Sequence, residues 1–146
     1  MIIEDDIKLD YSDVLIRPKR STLTSRFDVE LERTYTFYHS GIEWTGVPIM
    51  ASNMDTTGTF SMHNELSQHG MITCIARHYN TNGIEWSQST NKNKLCVMSG
   101  ISSKEISEII GVSTTFPDVA FVGLDVANGY TINFVDSVKR LRNELP

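Results

Sequence analysis

Two short polar segments each follow an apolar run, and their residue types could bind a ligand. Asp125 comes directly after the run at 119–124, "VAFVGL", and small or turn-forming residues follow it. The segment "NMD" at 53–55 comes shortly after the run at 47–51, "VPIMA". A carboxylate can accept hydrogen bonds from ligand hydroxyl groups, and small residues let the backbone approach a ligand closely. The competing interpretations are a solubilising loop acid at 125 and, at 55, an acid that only favours the start of a helix.

Four apolar runs of strand length must position these segments, and helical patterns separate the runs. The runs lie at 47–51, 71–76, 95–99 and 119–124, and helices are predicted at about 60–69, from about 82, at 102–111 and at about 131–145. Strands that are apolar on both faces and joined by helices are typical of a parallel sheet covered by helices. Where such a sheet closes into a barrel, the catalytic residues lie at the carboxyl ends of the strands, and both polar segments follow strand ends of this kind.

Several residues indicate where the predicted helices begin and end. Two pairs of residues have the spacing of a capping box: Ser102 with Glu105, and Asn82 with Glu85. Gly70 is predicted to close the first helix in the left-handed conformation, which glycine adopts without a side-chain penalty. Gly111 is predicted to end the third helix.

Two α/β architectures fit this order of elements, an open doubly wound sheet and a (βα)8 TIM barrel. No G-x-G-x-x-G follows the first run, which removes the strongest sign of a dinucleotide-binding open sheet. These patterns leave both architectures open, and in the barrel case residues 1–146 would be a single, incomplete TIM-barrel domain. Residues 1–45 would form an N-terminal arm, in which the alternation at 27–37 suggests a strand or hairpin. Residues 46–146 would form the first four βα units.

Composition argues against several classes of protein. Lys and Arg total 13 against 18 Asp and Glu, and the net charge of -5 argues against binding to DNA, RNA or an anionic membrane. No apolar run approaches the roughly 18 residues that span a membrane, and the N-terminus lacks the pattern of a secretory signal, so a cytoplasmic protein is expected. The basic run "RPKR" at 17–20 is more typical of a solvated loop than of a phosphate site.

The cysteines and histidines are better explained by packing than by chemistry. Cys74 and Cys96 lie inside apolar runs, which favours reduced core residues over a disulfide. His63 and His69 are six positions apart, so they lie on different faces of one predicted helix. No metal site is therefore predicted.

Three longer strings of residues make the chain recognisable. They are "LDYSDVLIRPKRSTLTSRFDVELERTYTF" at 9–37, "GVPIMASNMDTTGTFSM" at 46–62 and "LDVANGY" at 124–130. On these strings the chain resembles the IMP dehydrogenase and GMP reductase family over nearly its whole length. The segment "RPKRSTLTSR" looks like the reductase form. Dehydrogenases of the family usually insert regulatory modules between the positions of residues 79 and 95, and the short connection here favours the reductase branch.

The resemblance implies a (βα)8 enzyme that converts GMP to IMP and ammonia with NADPH as the reductant. In that family a cysteine attacks C2 of the purine, ammonia leaves, and hydride reduces the thioimidate, so that a hard displacement is divided into two easier steps. The loops with that cysteine, the nucleotide phosphate site and the monovalent cation (potassium) site would follow Pro146. The chain is thus expected to be an N-terminal portion with no catalytic residue, inactive alone, and part of a homotetramer.

The resemblance also implies binding roles for residues of this chain. NADPH would be bound by Ser25, Arg26, Arg77, Asp125, Val126 and Ala127, and the GMP or IMP nucleotide by Asn53, Met54 and Asp55. Ser25 and Arg26 would reach the cofactor across a subunit boundary, where a guanidinium can bind phosphate or stack on adenine. Asp125 would meet the ribose or nicotinamide end of the cofactor.

The segment "ARHY" at 76–79 departs from the His-Lys-His-Tyr that the family usually shows. Arg77 keeps the charge of the cofactor-contacting lysine, but it is broader and harder to deprotonate, which puts cofactor fit and any proton relay in question. Two alternatives to a GMP-reducing enzyme stay open. One is an IMP dehydrogenase-like enzyme without regulatory modules, and the other is an inactive truncated remnant.

Overall fold

The computed structural model describes residues 6–145, which divide into two compact units. The first unit ends at Glu30 and the second begins at Leu31. Within residues 6–30, the regular elements are two 3-10 turns, Tyr11–Asp13 and Arg26–Asp28, and nearly every residue is exposed. Local hydrogen bonds, rather than a buried core, therefore give this unit its structure.

The second unit contains a hairpin and a parallel sheet. Strands β1 (Arg33–Thr36) and β2 (Glu43–Gly46) pair antiparallel. The parallel strands, in spatial and chain order, are β3 (Met50–Ala51), β4 (Ile72–Ile75), β5 (Leu95–Ser99) and β6 (Phe121–Leu124). The helices that follow them are α1 (Phe60–Leu66), α2 (Gly83–Gln88), α3 (Ser103–Thr115) and α4 (Ile132–Glu144). The strand or hairpin predicted at 27–37 is found as the single strand β1, whose partner β2 lies outside that range. The predicted alternation of parallel strands with helices is confirmed.

The two faces of the parallel sheet pack into separate cores, because successive side chains of a strand point to opposite faces. One core joins the sheet to the helices and includes Phe60, Ile75, Trp86, Leu95, Val97, Ile106 and Ile109. The other packs Cys74, Cys96 and Met98 against Trp44 of the hairpin. The Trp44 indole Nε1–H donates to the carbonyl of Asn93 at 3.0 Å, just before β5 begins. The hairpin therefore covers one face of the sheet and is tied to its amino end.

Most of the predicted helix ends are confirmed. Ser102 and Glu105 form a capping box at the start of α3, and Gly70 ends the helical segment after α1 with a φ of 71°. The prediction that Gly111 ends its helix is wrong, since α3 continues to Thr115. Val112 is buried in the core shared with the helices, and this packing outweighs the weak helix propensity of glycine.

Two further details of the prediction are wrong. Asn82 precedes α2 but does not form a capping box, because its side chain accepts no hydrogen bond from the backbone N–H groups of the helix. Its amide Nδ2 instead donates to the Glu85 carboxylate at 2.6 Å. The first parallel strand is assigned to Met50 and Ala51 and not to the whole run at 47–51. Before it, Val47 donates its N–H to the carbonyl of Gly70, and the carbonyl of Ile49 accepts from the N–H of Ile72. Within residues 6–145, no helix is long and apolar enough to cross a membrane.

Candidate functional site

An open groove of about 450 Å³ lies at the carboxyl end of the parallel sheet. The segments that follow β4, β5 and β6 line it: Arg77, Gly100, Ile101, Ser102, Glu105, Asp125, Val126 and Ala127. Parallel strands all end at the same edge of a sheet, so residues far apart in sequence meet there. Four of the predicted cofactor residues, those at 77 and 125–127, thus share one groove.

Asp125 is held in place by two hydrogen bonds. Its backbone N–H donates to the carbonyl of Ser99 at 2.8 Å, which continues the pairing of β6 with β5. One oxygen of its carboxylate, Oδ2, accepts a hydrogen bond from the Asn53 amide Nδ2 at 2.9 Å. The structure therefore joins a predicted substrate residue to a predicted cofactor residue, across the segments that follow the first and last strands of the sheet.

Arg77 begins the 3-10 turn Arg77–Tyr79 directly after β4. Its guanidinium Nη1 lies 3.1 Å from Oε1 of Glu105, and the two side chains are 49% and 33% exposed. A hydrogen bond from the Ser102 hydroxyl is the main reason that the pKa of Glu105 is lowered, and backbone hydrogen bonds and the charge of Arg77 lower it further. Arg77 thus faces a carboxylate that stays ionised at neutral pH.

The remaining substrate candidates lie on the loop between β3 and α1. Met54 is exposed, and its carbonyl accepts hydrogen bonds from the N–H groups of Thr57 and Gly58. The Asp55 carboxylate lies 3.6 Å from Nδ1 of His78, and the Asp55 side chain is almost fully exposed. A ligand could therefore reach both residues without displacing a core side chain.

Ser25 and Arg26 belong to the first compact unit, residues 6–30. The Ser25 hydroxyl accepts a hydrogen bond from the N–H of Phe27 at 3.2 Å, and its own N–H donates to the Asp28 carboxylate at 3.0 Å. The Arg26 guanidinium lies 5.5 Å from the centroid of the Phe27 ring. Arg26 is exposed, so its N–H groups are accessible to a ligand.

Ser102 and Glu105 were predicted only as helix-capping residues, and their place in the groove was missed. The available signal was their position, because they follow the third apolar run just as Asp125 follows the fourth. A capping box explains both residue types without a ligand, so no separate reason to assign them to a site is present in the sequence. The contact with Arg77 joins residues 28 positions apart and becomes visible only in the structure.

The two cysteines lie away from the groove-lining segments. Cys74 and Cys96 are buried, unbridged and opposite each other on β4 and β5, so the prediction of reduced core residues is confirmed. The hydrogen bond with Cys74 and burial together raise the pKa of the Cys96 thiol. No group of three or more His, Cys, Asp or Glu side chains in the described ranges is arranged to hold a metal ion.

Comparisons with known proteins place this arrangement in a family. The family model described as "IMP dehydrogenase / GMP reductase domain" matches residues 8–146. A protein named GMP reductase from Klebsiella pneumoniae subsp. pneumoniae is 47% identical over 152 residues, which cover 100% of this chain and 43% of that protein. A GMP reductase from Caenorhabditis elegans is 45% identical, with 99% of this chain and 41% of that protein covered. The chain thus spans about two-fifths of the length of these relatives.

A solved structure shares the fold of this chain. The crystal structure of inosine 5' monophosphate dehydrogenase from Legionella pneumophila matches with a TM-score of 0.63 and 20% identity, covering 92% of this chain and 40% of that one. The parallel sheet and its helices are therefore part of a (βα)8 TIM barrel, as predicted. The family match covers nearly the whole chain, and the chain belongs to the IMP dehydrogenase / GMP reductase family.

Proposed function

We propose that this chain is part of an enzyme that converts GMP to IMP and ammonia with NADPH as the reductant. The observation that supports this most directly is the meeting of predicted ligand-binding residues at one edge of the sheet. Asn53, Arg77 and Asp125 follow three different strands, and two of them are hydrogen-bonded to each other. Relatives named GMP reductase at 45–47% identity make reduction of GMP the preferred activity.

The groove residues have the chemistry that a nicotinamide cofactor requires. The free oxygen of the Asp125 carboxylate can accept hydrogen bonds from ribose hydroxyls, and Arg77 can donate to further oxygens of the cofactor. Val126 and Ala127 are small, so the backbone beside them can approach a flat ring. When bound, NADPH supplies the hydride.

The purine nucleotide would bind beside the groove, against the loop after β3. We propose that Asn53, Met54 and Asp55 contact it, with Asn53 held by Asp125 so that the two ligands meet at one hydrogen-bonded pair. Ser25 and Arg26 would contact the cofactor bound by another subunit. A homotetramer, a potassium ion and a cytoplasmic location are part of the same proposal and rest on family membership alone.

The test uses the protein expressed from the complete coding sequence. Oxidation of NADPH that depends on GMP, with release of ammonia and IMP, is the expected result. Asp125→Asn should raise the KM for NADPH, because an amide is a weaker acceptor for hydroxyl groups than a carboxylate. The control is Asp136→Asn on α4, an exposed acid that pairs with Lys139 at 3.7 Å, and it should leave the kinetics unchanged.

Two outcomes would contradict the proposal. Turnover of IMP with NAD, and none of GMP with NADPH, would instead assign the dehydrogenase activity of the family. No turnover with either pair would favour an inactive protein. The isolated chain of 146 residues is expected not to oxidise NADPH, because the relatives that it resembles are more than twice as long.

A further inference from the structure

We propose that Glu105 is a positioning residue that orients Arg77 toward the uncharged, nicotinamide end of the bound cofactor. The inference rests on the proposed function for the identity of the ligand. It assigns a role to a side chain that the sequence explains fully as a helix cap.

The two oxygens of the Glu105 carboxylate have different partners. Oε2 accepts hydrogen bonds from the Ser102 hydroxyl at 2.6 Å and from the Ser102 N–H at 3.2 Å. Oε1 accepts a hydrogen bond from Nη1 of Arg77 at 3.1 Å. One oxygen is therefore bound to the start of α3, and the other holds the guanidinium. Through Glu105, Arg77 is bound to the start of helix α3, although Arg77 itself belongs to a 3-10 turn of only three residues.

The backbone after β5 is shaped to admit this carboxylate. A Cβ atom at Gly100 would come within 2.6 Å of both Glu105 oxygens, a distance that real Cβ atoms essentially never show. Any other residue at position 100 would have to displace the carboxylate or the loop. Glycine at this position thus allows Glu105 to reach between the start of α3 and Arg77.

The ion pair orders the Arg77 side chain before a ligand binds, and this lowers the entropy cost of binding. A flexible arginine side chain loses rotamer entropy when a ligand immobilises it, and a side chain that is already ordered loses less on binding. The guanidinium has five N–H donors, so the bond to Glu105 leaves several for a ligand. Their direction is set by the position of the Glu105 carboxylate.

The charges of the groove determine which part of a dinucleotide it suits. Its charged lining residues are Arg77, Glu105 and Asp125, so two carboxylates surround one guanidinium. A phosphate would meet a net negative charge, whereas ribose hydroxyls and a carboxamide would find both acceptors and donors. Arg77 therefore meets the ribose or carboxamide of the nicotinamide end, and the phosphates bind elsewhere.

The experiment compares Glu105→Gln with the wild type in the complete protein. Glutamine also serves as the third residue of a capping box, so the start of α3 is retained while the charge that holds Arg77 is lost. The KM for NADPH should rise about two- to fivefold, the range expected for an ion pair of this exposure, with kcat changed less than about twofold. Affinity for an adenosine bisphosphate fragment without nicotinamide should stay the same.

Three further variants separate positioning from a structural effect. Glu108→Gln removes the partner of Lys104 on the same helix, at 3.8 Å, and should change nothing. Gly100→Ala should reproduce the rise in KM. In an Arg77→Met background, Glu105→Gln should have no further effect, because its role requires the guanidinium.

Several results would overturn the inference. They are an unchanged or lowered KM in Glu105→Gln, an equal loss of affinity for the adenosine fragment, or an undiminished effect in the Arg77→Met background. If the wild type oxidises IMP with NAD instead, the proposed function fails, and the same comparison made with NAD decides the role of Glu105. If the wild type binds neither dinucleotide, both proposals fail.

Discussion

Replacing Trp86 with Phe tests whether the core shared with the helices also holds the turn that carries Arg77. Trp86 is fully buried, and its ring meets Phe60 edge-on at a centroid distance of 5.0 Å. Its Nε1–H donates to the carbonyl of Tyr79 at 2.9 Å, and Tyr79 is the last residue of the turn that begins at Arg77. The indole is thus both a core side chain and an anchor for one wall of the groove.

The expected cost has two parts. Losing the N–H that serves the Tyr79 carbonyl costs about 0.5–1.5 kcal/mol, and replacing the indole with a smaller ring in a closed core costs about 1–2 kcal/mol. The free energy of unfolding should therefore fall by roughly 2–3 kcal/mol, which lowers the urea midpoint by about 1 M. On the proposed function, the KM of the complete protein for NADPH should rise as well, because the Arg77 turn loses its anchor.

Trp44→Phe is the matched control for this prediction. Like Trp86→Phe, it removes an indole N–H that donates to a backbone carbonyl, here the carbonyl of Asn93 at 3.0 Å. Trp44, however, lies in the core on the opposite face of the sheet. It should destabilise the protein by a similar amount and leave the KM for NADPH unchanged. Urea unfolding followed by circular dichroism, together with steady-state kinetics, measures both effects. A wild-type urea midpoint in Trp86→Phe, or an equal rise of KM in both variants, would refute the reasoning.

Three further predictions concern stability and reactivity. His63 is fully buried, its Nε2–H donates to the Thr90 carbonyl at 2.8 Å, and its Nδ1 has no partner in the described part of the chain. Burial is the main reason that the pKa of His63 is held below its ordinary value of 6.5, so the unfolded chain takes up the proton first. The contribution of His63 to stability should be full above pH 6.5 and fall as the pH drops below that value, by at most about 1.4 kcal/mol per pH unit. Urea unfolding measured at a series of pH values should show that the free energy of unfolding depends less steeply on pH in His63→Gln than in the wild type. An equal dependence in both proteins would contradict this. The raised pKa of the Cys96 thiol and the burial of both cysteines predict that a thiol reagent labels Cys74 and Cys96 no faster than the protein unfolds, and rapid labelling of either residue at neutral pH, located by peptide mapping, would argue against the buried pair. Gly111→Ala should raise the free energy of unfolding by about 0.5–1 kcal/mol, because the position is inside α3 and a Cβ there meets nothing within 4 Å. Gly70→Ala, at a φ of 71°, should lower it by about 1–2 kcal/mol, and the same sign for both substitutions would be inconsistent with the structure.

The parts of the fold that depend on local patterns could be predicted from the sequence. The run at 95–99 and the pair Ser102 and Glu105 defined β5 and the start of α3, because a continuous apolar run and a capping box each act over a few residues. Gly111 misled the prediction, since the packing of the next turn depends on residues from the sheet. Burial of a neighbour can outweigh propensity, and no local pattern reports it.

The candidate site was also predictable only in part. The position of Asp125 after an apolar run was enough to predict its place at the carboxyl edge of the sheet, since strand order and direction follow from the alternation of elements. Its bond to Asn53 was not predictable, because it depends on how far the sheet curls. The ion pair between Arg77 and Glu105 was not predicted for another reason. Glu105 was already explained as a helix cap, and Arg77 as the replacement of a lysine that contacts the cofactor in the family.

The hydrogen bond between Asn53 and Asp125 also has a consequence for the order of folding. It joins residues 72 positions apart, across the segments that follow the two outermost strands of the sheet. Contacts of such long sequence separation are slow to form, because a large loop must close before they stabilise anything. In the folded chain the bond closes a segment that contains β4 and β5 as well as the strand β6. We therefore expect the edge that carries the candidate site to form late in folding, after the strands between Asn53 and Asp125 have paired.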